Sequence, residues 1–350
     1  MSQPTTKARA TTTKRKNKGS RTYTVNKGQQ GAMKAAEGDE TTYKDKIYDR
    51  ISQQVLDQME KGIVPWQKPW NVLIDGSVEV PTNYVSKKPY NGINTILLAC
   101  NEHQRPYYMT YKQAESLGGQ VRKGAKGEIV LFYKFKDKDE EGKEKKFFFE
   151  KLNFVFNIAD IDGIDFKLPE VAPRPQTPPG LRIPIGESVA NGYLENDGPK
   201  LVFNAPEKAC YMGGAKDTIN MPRLEAFNTP EGYYKVLFHE CVHSTGHSTR
   251  LNREEMQGGA KRGSERYSRE ELTAEMGANF LAAHCGFNME QDSDLLEQTA
   301  AYIAGYLKVF QMDKKVFYTA ARQAQKAANY ILGESPESQP ATIETGQVAE

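Results

Sequence analysis

Hydrophobic and polar residues change their spacing several times along the chain, and these changes predict its elements. The first ~40 residues carry almost no large apolar side chains, and such a segment cannot bury enough surface to fold by itself. From Tyr43 to Gly62 apolar residues recur at helical spacing, which predicts a first helix. Apolar or alternating runs at 128–135 and 146–158 predict two strands joined by a charged hairpin.

The second half is dominated by helical spacing. Two short strand-like runs, 208–212 and 217–222, lead into a helix with Thr229 as its N-cap, Pro230 at its first position and Gly246 as its stop. Another amphipathic helix is expected from near Ser268, and closing helices are expected further along.

These patterns predict an α+β protein built from two domains. At 350 residues the chain is long enough for each domain to have its own core. The predicted boundaries are 1–42 for a disordered basic arm, 43–165 for an α+β domain, 166–187 for a proline-rich linker, 188–332 for a mainly helical domain with a small sheet, and 333–350 for a disordered acidic tail.

Charge and cysteine usage narrow the class of protein. The net charge is only +2, but residues 1–36 contain nine Lys and Arg and no acidic residue; such an arm contacts phosphates, serves targeting, or only solubilises the chain. Four scattered cysteines without C-x-x-C spacing fit reduced thiols in the cytoplasm. No apolar run approaches the ~20 residues of a membrane span, and the basic N-terminus lacks the apolar region of a secretory signal.

The most informative motif is His239-Glu-x-x-His243, inside the helix expected after Thr229. Residues four apart share one face of a helix, so His239 and His243 can bind one metal ion. Glu240 lies to the side, where it can act as the base of a zinc hydrolase. The pattern is short and also arises by chance, so its context decides its meaning.

The next predicted helix carries Glu271 and Glu275, again four residues apart. A carboxylate on a following helix is a common third zinc ligand, and another one turn on can hold a ligand histidine from behind. We therefore expect Glu271 to bind the metal and Glu275 to support a histidine. Ser268-x-x-Glu271 is, however, also a capping box, which would leave Glu270 or Glu275 as the ligand.

Three of the five histidines fall at 239, 243 and 247. The metzincin pattern H-E-x-x-H-x-x-G-x-x-H would require a histidine at 249, where this chain has Thr249. His247 is therefore either a cap or part of the cleft. With Tyr267, it is a candidate for stabilising an oxyanion.

In the first half, aromatic residues are interleaved with Lys, Arg and Gly, notably in Pro65-Trp-Gln-Lys-Pro-Trp70 and in the glycine-rich 121–127 loop. Single-strand binders stack bases on aromatic faces and follow phosphates with cations. Tryptophans beside prolines are also common as core or turn anchors, so composition alone leaves both interpretations open.

Several ordered motifs between about 43 and 165 resemble the N-terminal single-stranded-DNA-binding domain of the ArdC antirestriction family. The motifs are Glu60-x-Gly-x-x-Pro-Trp-x-x-Pro-Trp70, Pro81-x-Asn83, Tyr90-x-Gly-Ile-Asn94, Thr110-Tyr-x-Gln-Ala114, Leu117-Gly-x-x-Val-Arg-Lys-Gly-x-Lys-Gly127 and Val155-Phe-Asn157. Tyr108-Met109 stands where a tryptophan is expected, which puts one stacking surface in doubt. The residues that the resemblance assigns to DNA are Trp66, Lys68, Trp70, Asn83, Tyr90, Asn94, Tyr111, Arg122, Lys123 and Lys126.

The second half resembles the zincin-like metallopeptidase domain that follows in ArdC-type proteins. The matching motifs are His239-Glu-x-x-His-x-Thr-Gly-His247, Arg250-Leu-x-Arg253 and Tyr267-x-x-Glu-Glu-Leu-x-Ala-Glu-x-Gly-Ala278. The spacing of Glu271 and Glu275 is similar to that of zincins with a glutamate ligand.

The resemblance implies an antirestriction protein that binds single-stranded DNA, carries a Zn²⁺ peptidase site and protects incoming plasmid or phage DNA. Its partners would be single-stranded DNA and an unidentified protein substrate, such as a host restriction component. It would act in the host cytoplasm, where it could arrive together with the DNA. Two alternatives remain: a non-catalytic DNA-binding protein with a structural or vestigial zinc, and a phage polyvalent protein injected with the genome.

Overall fold

The computed structural model describes residues 40–334 except 69, 137–146, 174–177, 179, 205–207, 259–260, 262, 288–312 and 314, and for 40–44, 133–136 and 147–150 it describes the backbone alone. Residues 1–39 of the predicted basic arm, the acidic tail from 335 onward, the charged hairpin and the first closing helix lie outside the described residues. The last three residues of the arm, 40–42, are helical, whereas we expected them to be disordered. The described residues from Lys44 onward form one compact unit.

The N-terminal half combines a long first helix with several short strands. Tyr43 to Met59 lie in this helix, as their spacing predicts, and Gly62 follows it with a positive φ of 79°. The elements are helices α1 (Glu40–Met59), α2 (Ile93–Ala99) and α3 (Tyr111–Ser116), and strands β1 (Asn71–Val72), β2 (Val78–Glu79), β3 (Thr82–Asn83), β4 (Tyr107–Met109), β5 (Gln120–Val121), β6 (Glu128–Lys136), β7 (Phe147–Asn157) and β8 (Ile161–Asp162).

The main sheet of this half has the strand order β3-β4-β7-β6, with β3 parallel to β4 and the other pairs antiparallel. The β6 and β7 strands pair from Glu128 opposite Val155 to Lys136 opposite Phe147. Helix α2 is fixed to β6 because the Asn94 amide both donates to Leu131 O (2.9 Å) and accepts from Leu131 N (2.7 Å). Asn94 is thus a structural clamp.

The C-terminal half is mainly helical, with a three-stranded sheet in the order β10-β11-β9. Strands β9 and β11 are parallel, and β10 is antiparallel to β11. The elements are helices α4 (Pro184–Asn196), α5 (Pro230–Thr245), α6 (Glu265–His284) and α7 (Val316–Ile331), and strands β9 (Lys200–Val202), β10 (Cys210–Met212) and β11 (Thr218–Asn220).

The core of this half lies between α5, α6 and α7, where the apolar side chains are almost fully buried. Helices α5 and α6 approach closely at Gly277, where a Cβ atom would lie 2.8 Å from Val242 Cγ2. Glycine is therefore required at this crossing by the space available.

Aromatic and polar contacts join the two halves of the compact unit. The Trp66 ring lies 5.9 Å from that of Phe317 in α7, and the Tyr48 ring lies 5.2 Å from that of Tyr318. The backbone N–H of Gly92 donates to the side chain of Gln325 in the same helix (2.9 Å). The halves therefore share a packed interface.

The segment 166–187, expected to be a linker, has structure at both ends. Val171 pairs with Leu73 in an isolated bridge, and Pro184 begins α4. The four cysteines are free. Among the described helices, none is both long and apolar enough to span a membrane.

Candidate functional site

Helix α5 carries three polar residues at intervals of four on one face, Lys235, His239 and His243. Its start is well defined because the Thr229 hydroxyl accepts a hydrogen bond from Gly232 N (3.0 Å) and Pro230 occupies the first position. The helix ends at Gly246, whose φ of −75° is right-handed. A Cβ at Gly246 would lie 2.5 Å from Met256 Cγ and 2.9 Å from Arg253 Nη2, so this glycine makes room for both side chains.

Helix α6 begins earlier than its pattern predicts. The sequence places its start near Ser268, but the helix begins at Glu265, and its N-cap is Ser264, whose hydroxyl accepts from Tyr267 N (3.2 Å). Ser268 lies inside the first turn and donates to Ser264 O (3.2 Å). The capping box of Ser268 and Glu271 is therefore absent, and the Glu271 side chain is available to the site.

His239, His243 and Glu271 converge at the crossing of α5 and α6. Their ligand atoms all lie within 4.8 Å of one another. The two histidine Nε2 atoms are 3.1 Å apart. The Glu271 carboxylate lies 3.6 Å from His239 Nε2 and 3.5 Å from His243 Nε2.

These separations fit one metal ion held by three protein atoms. Zinc bonds of 2.0–2.1 Å at tetrahedral angles place neighbouring ligand atoms about 3.3 Å apart. The Nδ1 atoms of both rings face carboxylates, so a neutral form of each ring would keep its proton on Nδ1 and direct the Nε2 lone pair towards the other histidine. Two such lone pairs at 3.1 Å would repel each other unless a proton or a metal ion lay between them, and the donor set therefore favours a cation.

The carboxylate behind His239 is Glu275. Its Oε2 lies 3.6 Å from His239 Nδ1, while its Oε1 receives Lys235 Nζ (2.9 Å), Asn279 Nδ2 (3.0 Å) and Gln67 Nε2 (3.1 Å). Lys235 is buried, at 3% exposure. A buried lysine needs a charged partner, and Glu275 provides it. Sequence reasoning missed Lys235, although its position four residues before His239 is a local signal.

The carboxylate behind His243 is Glu270, 3.1 Å from its Nδ1. The guanidinium of Arg253 donates to both oxygens of Glu270, at 3.0 and 2.6 Å, and also to Thr245 Oγ1 and Val242 O. Arg253 and Glu270 are 2% and 4% exposed. Glu270 thus supports His243 as Glu275 supports His239.

The close packing of carboxylates and imidazoles in this cluster shifts the pKa values of its members. Burial would lower the pKa of His239, but the carboxylates of Glu271 and Glu275 outweigh it and raise that pKa to about 10. Burial would raise the pKa of Glu271, but the two imidazoles hold it well below its usual range. The pKa of Glu275 is likewise low, because Lys235 and His239 outweigh its burial. The site therefore attracts positive charge.

Glu240 follows His239 in α5 and is 8% exposed. Its carboxylate forms no hydrogen bond or ion pair with any residue that the structure describes. A buried carboxylate without a protein partner is costly unless water or a cation meets it. Glu270, Glu271 and Glu275 each face a histidine, lysine or arginine of the described chain. Glu240 differs from these three glutamates because no described protein donor holds its carboxylate.

The other two candidate catalytic residues have different surroundings. Tyr267 lies one turn before Glu271 in α6 and so shares its face. His247 lies just beyond α5, where its Nδ1 is 2.8 Å from Thr249 Oγ1 and its Nε2 is 3.3 Å from Gly214 O. Both ring nitrogens of His247 thus face neighbours outside the His239 cluster.

Most aromatic residues expected to contact DNA are in the interior. Trp66 and Trp70 are 6% and 9% exposed, and Tyr90 is 7% exposed with a pKa raised to about 12 by burial. Asn83 is 1% exposed and caps the following turn through Val85 N and Ser86 N. These side chains are used in packing.

Two further DNA candidates are half-buried and engaged. Lys68 donates to Asn101 O (2.6 Å), and burial lowers its pKa; Asn94 forms the clamp on β6. Tyr108 and Met109, where the resemblance led us to expect a tryptophan, are 1% and 0% exposed. That position therefore belongs to the core in this protein.

Four DNA candidates remain on the surface: Tyr111, Arg122, Lys123 and Lys126. The Arg122 Nε donates to Asp162 Oδ1 (2.8 Å). The three basic residues share a turn in which Ala125 N donates to Arg122 O (3.1 Å) and Gly124 has a φ of 91°. This turn presents cations to solvent.

Two family profiles match the chain and together cover most of it. Residues 45–156 match the N-terminal domain of the anti-restriction factor ArdC, and residues 190–323 match a zincin-like metallopeptidase. The His239 cluster falls within the second match and the basic turn within the first.

Similar proteins include the Escherichia coli DNA primase TraC, 30% identical over 82% of this chain, and the protein y4eC of Sinorhizobium fredii, 31% identical over 84%. The chain spans 94% of y4eC but only 27% of that primase. Among solved structures, the Mn(II)-bound ArdC antirestriction protein of plasmid R388 has a TM-score of 0.65 at 30% identity, with 83% of this chain and 99% of that chain covered. Its metal-free form has a TM-score of 0.62 at 31% identity, with 81% and 96% covered. The chain belongs to the ArdC antirestriction family.

Proposed function

We propose that this protein binds single-stranded DNA through its N-terminal half and hydrolyses peptide bonds at a metal centre in its C-terminal half, and so protects incoming DNA in the recipient cytoplasm. The observation that carries the peptidase part is the convergence of His239, His243 and Glu271 next to Glu240, whose carboxylate is free of described protein partners.

The residues that would hold the metal are His239, His243 and Glu271. Two imidazoles and a carboxylate favour Zn²⁺, and Mn²⁺ also fits such a set; the ArdC protein of plasmid R388 has a Mn(II)-bound structure. A divalent ion there would polarise the peptide carbonyl and make water more acidic. Glu270 and Glu275 fix the imidazole orientations that this requires.

Glu240 acts as the general base. It accepts a proton from water as the water oxygen bonds to the peptide carbonyl carbon, and it then gives that proton to the leaving amine nitrogen as the C–N bond breaks. Tyr267 is the better candidate for donating to the carbonyl oxygen, because both ring nitrogens of His247 face Thr249 and Gly214. The products are a carboxylic acid and an amine, which become a carboxylate and an ammonium group when the acid gives its proton to the amine.

DNA binding is assigned to the exposed set of Tyr111, Arg122, Lys123 and Lys126. The resemblance to the ArdC N-terminal domain supports it, as does the exposure of the basic turn. Tyr111, 36% exposed, is the aromatic of this set on which a base could stack.

The test measures bound metal and cleavage of a mixed peptide library by the full chain loaded with Zn²⁺ or Mn²⁺. We expect one ion per chain and cleavage in the wild type, no ion in His239→Ala, an ion without cleavage in Glu240→Gln, and wild-type metal content in His247→Ala. Absence of stoichiometric metal in the wild type overturns the metal centre. Metal without cleavage of any peptide supports a structural ion in a DNA-binding protein.

A further inference from the structure

A turn of the N-terminal half reaches the carboxylate that supports His239. This turn is Pro65–Gln67, a short 3₁₀ helix between α1 and β1. Gln67 Nε2 donates to Glu275 Oε1 at 3.1 Å across a sequence separation of 208 residues. Trp66, next to it, packs on Phe317, so the turn is held against the C-terminal half by a buried aromatic contact.

The two oxygens of the Glu275 carboxylate have different partners. Oε2 faces His239 Nδ1 at 3.6 Å, whereas Oε1 collects the donors from Lys235, Asn279 and Gln67. Lys235 and Asn279 come from the helices that carry the metal ligands. Gln67 alone among these donors comes from the other half of the chain.

The direction of the Glu275 carboxylate decides where the His239 ring points. A carboxylate held by several donors has little freedom to rotate, and the ring whose Nδ1 faces it at 3.6 Å is restricted in turn. Removing the Gln67 amide leaves Oε1 with the donors from α5 and α6 alone, and Glu275 can then turn away from His239 Nδ1. The metal site would lose its preorganisation without losing a ligand.

We propose that Gln67 is a positioning residue of the metal centre, so that the N-terminal half completes the site through the Pro65–Gln67 turn. The proposal rests on His239, His243 and Glu271 binding a divalent metal. If so, the affinity of this site for the metal ion depends on Gln67, which belongs to the N-terminal half that we propose binds DNA.

The experiment compares the full-length wild type with Gln67→Met, which keeps the side-chain length but removes the amide, and with Gln67→Asn, which withdraws the amide by one methylene. The control is Gln54→Met. Gln54 lies in the same half and also donates from its amide, to Leu97 O at 3.1 Å, away from the metal centre. The measured quantities are the dissociation constants of Mn²⁺ and Zn²⁺ from chelator competition, the visible spectrum of the Co²⁺-loaded protein, and the melting temperature without metal.

We expect Gln67→Met and Gln67→Asn to weaken metal binding about 3–10-fold, less than the 10–100-fold typical of groups that touch a ligand directly. The Co²⁺ spectrum should shift in both, and Gln54→Met should match the wild type in affinity and spectrum. A merely structural role for Gln67 would lower the melting temperature and leave both unchanged.

Two failures are distinguishable. If the wild type binds no metal, the proposed function fails. If the wild type binds metal and both Gln67 variants bind it within twofold of the wild type with unaltered Co²⁺ spectra, the role of Gln67 alone is overturned. If Gln67→Met does not fold, the metal affinity and Co²⁺ spectrum of Gln67→Asn alone test the role of Gln67.

Discussion

Two buried carboxylates hold the candidate ligand histidines from behind, and each of them is neutralised by a buried cation. Glu275 pairs with Lys235, and Glu270 pairs with Arg253. Burying an ion pair costs desolvation energy and seldom stabilises a protein by itself. These pairs are better explained by what they position, namely the imidazole of His239 and the imidazole of His243.

Arg253→Met should destabilise the protein strongly, because it leaves the Glu270 charge buried without its guanidinium partner. Breaking such a pair costs about 3–5 kcal/mol. The measurement is the free energy of unfolding in urea. The control is Arg122→Met at an exposed pair with Asp162, where a destabilisation of less than about 1 kcal/mol is expected.

The double variant Arg253→Met/Glu270→Gln removes the stranded charge and should recover part of the stability. A destabilisation below ~1 kcal/mol in the single variant, or no recovery in the double, would contradict this account of the pair.

Asp217 provides a pH-dependent test in the same half. Burial would raise its pKa, but hydrogen bonds from Arg250 and Tyr211 outweigh burial and hold it below 3.8. When the pKa of a carboxyl group is lower in the folded state than in the unfolded state, its ionised form stabilises the fold at any pH above the unfolded-state pKa. This stabilisation is lost as the pH falls through the folded-state pKa. Asp217 is in the left-handed region (φ 33°), which asparagine tolerates.

The difference in unfolding free energy between wild type and Asp217→Asn should therefore be constant near neutral pH and shrink below about pH 4. Chemical unfolding at a series of pH values measures it. A difference that stays the same from neutral pH down to about pH 3 would show that the ionised carboxylate is not what Arg250 stabilises.

Local spacing predicts the residues whose geometry a single helix determines. His239 and His243, and likewise Glu271 and Glu275, are four residues apart, so a helix places each pair on one face. Lys235 offers the same local signal. Arg253 and Gln67 reach the site from a loop and from the other half, and no periodicity in the sequence connects them to it.

At the scale of elements, the site depends on how closely α5 and α6 cross. The contact point is Gly277 on α6 against Val242 on α5. Val242 is β-branched and has one strongly preferred rotamer in a helix, so it cannot turn aside. The distance between the two histidines on one helix and Glu271 on the other therefore depends on Gly277.

Gly277→Ala should push α5 and α6 apart, because the new Cβ would lie 2.8 and 3.0 Å from the Val242 methyl groups. We expect a destabilisation of about 1–3 kcal/mol, and weaker metal binding. Gly192→Ala in α4 is the control, since its Cβ meets no atom within 4 Å. It should stabilise by about 0.5–1 kcal/mol. Equal effects of the two substitutions would rule out close approach as the role of Gly277.

Element boundaries show where sequence patterns are insufficient. Ser264 and Ser268 are four residues apart and either can cap a helix. Gly263, with a φ of 80°, breaks the chain just before Ser264, and the earlier serine becomes the cap. Gly246 ends α5 as predicted, but it does so with a right-handed φ, and its missing side chain leaves room for Met256 and Arg253.

At the scale of the whole molecule, the two halves share an interface, and this interface uses residues that the sequence motifs assign to DNA. Trp66 packs on Phe317, and its exposure is only 6%. Composition cannot distinguish a tryptophan that stacks on bases from one that packs between halves of a protein, because both occur beside prolines and cations. Among the described residues that the motifs assign to DNA, those left on the surface are Tyr111 and the cations of the basic turn at 121–127.

Lys123→Ala and Lys126→Ala should each weaken binding of a single-stranded oligonucleotide and reduce its salt dependence. The slope of log affinity against log salt concentration is negative, and each DNA phosphate that the protein no longer neutralises should reduce its magnitude by about 0.7. Fluorescence titrations at several salt concentrations measure it. Lys200→Ala, exposed in the C-terminal half, should leave the slope unchanged. An identical slope in all three variants and the wild type would remove this turn from the DNA surface.

In the function that we propose, protection of incoming DNA requires hydrolysis at the metal centre. The measurement is the transfer of unmodified DNA into restricting and non-restricting recipient cells. The recipients contain the wild type, Glu240→Gln, or the control Glu254→Gln at an exposed position. Before the transfer, the three proteins are shown to have the same metal content and DNA affinity. Removing a general base lowers a hydrolytic rate about 10²–10⁴-fold, so we predict that Glu240→Gln fails to protect while Glu254→Gln protects like the wild type. Undiminished protection by Glu240→Gln would contradict the account and assign the activity to binding alone.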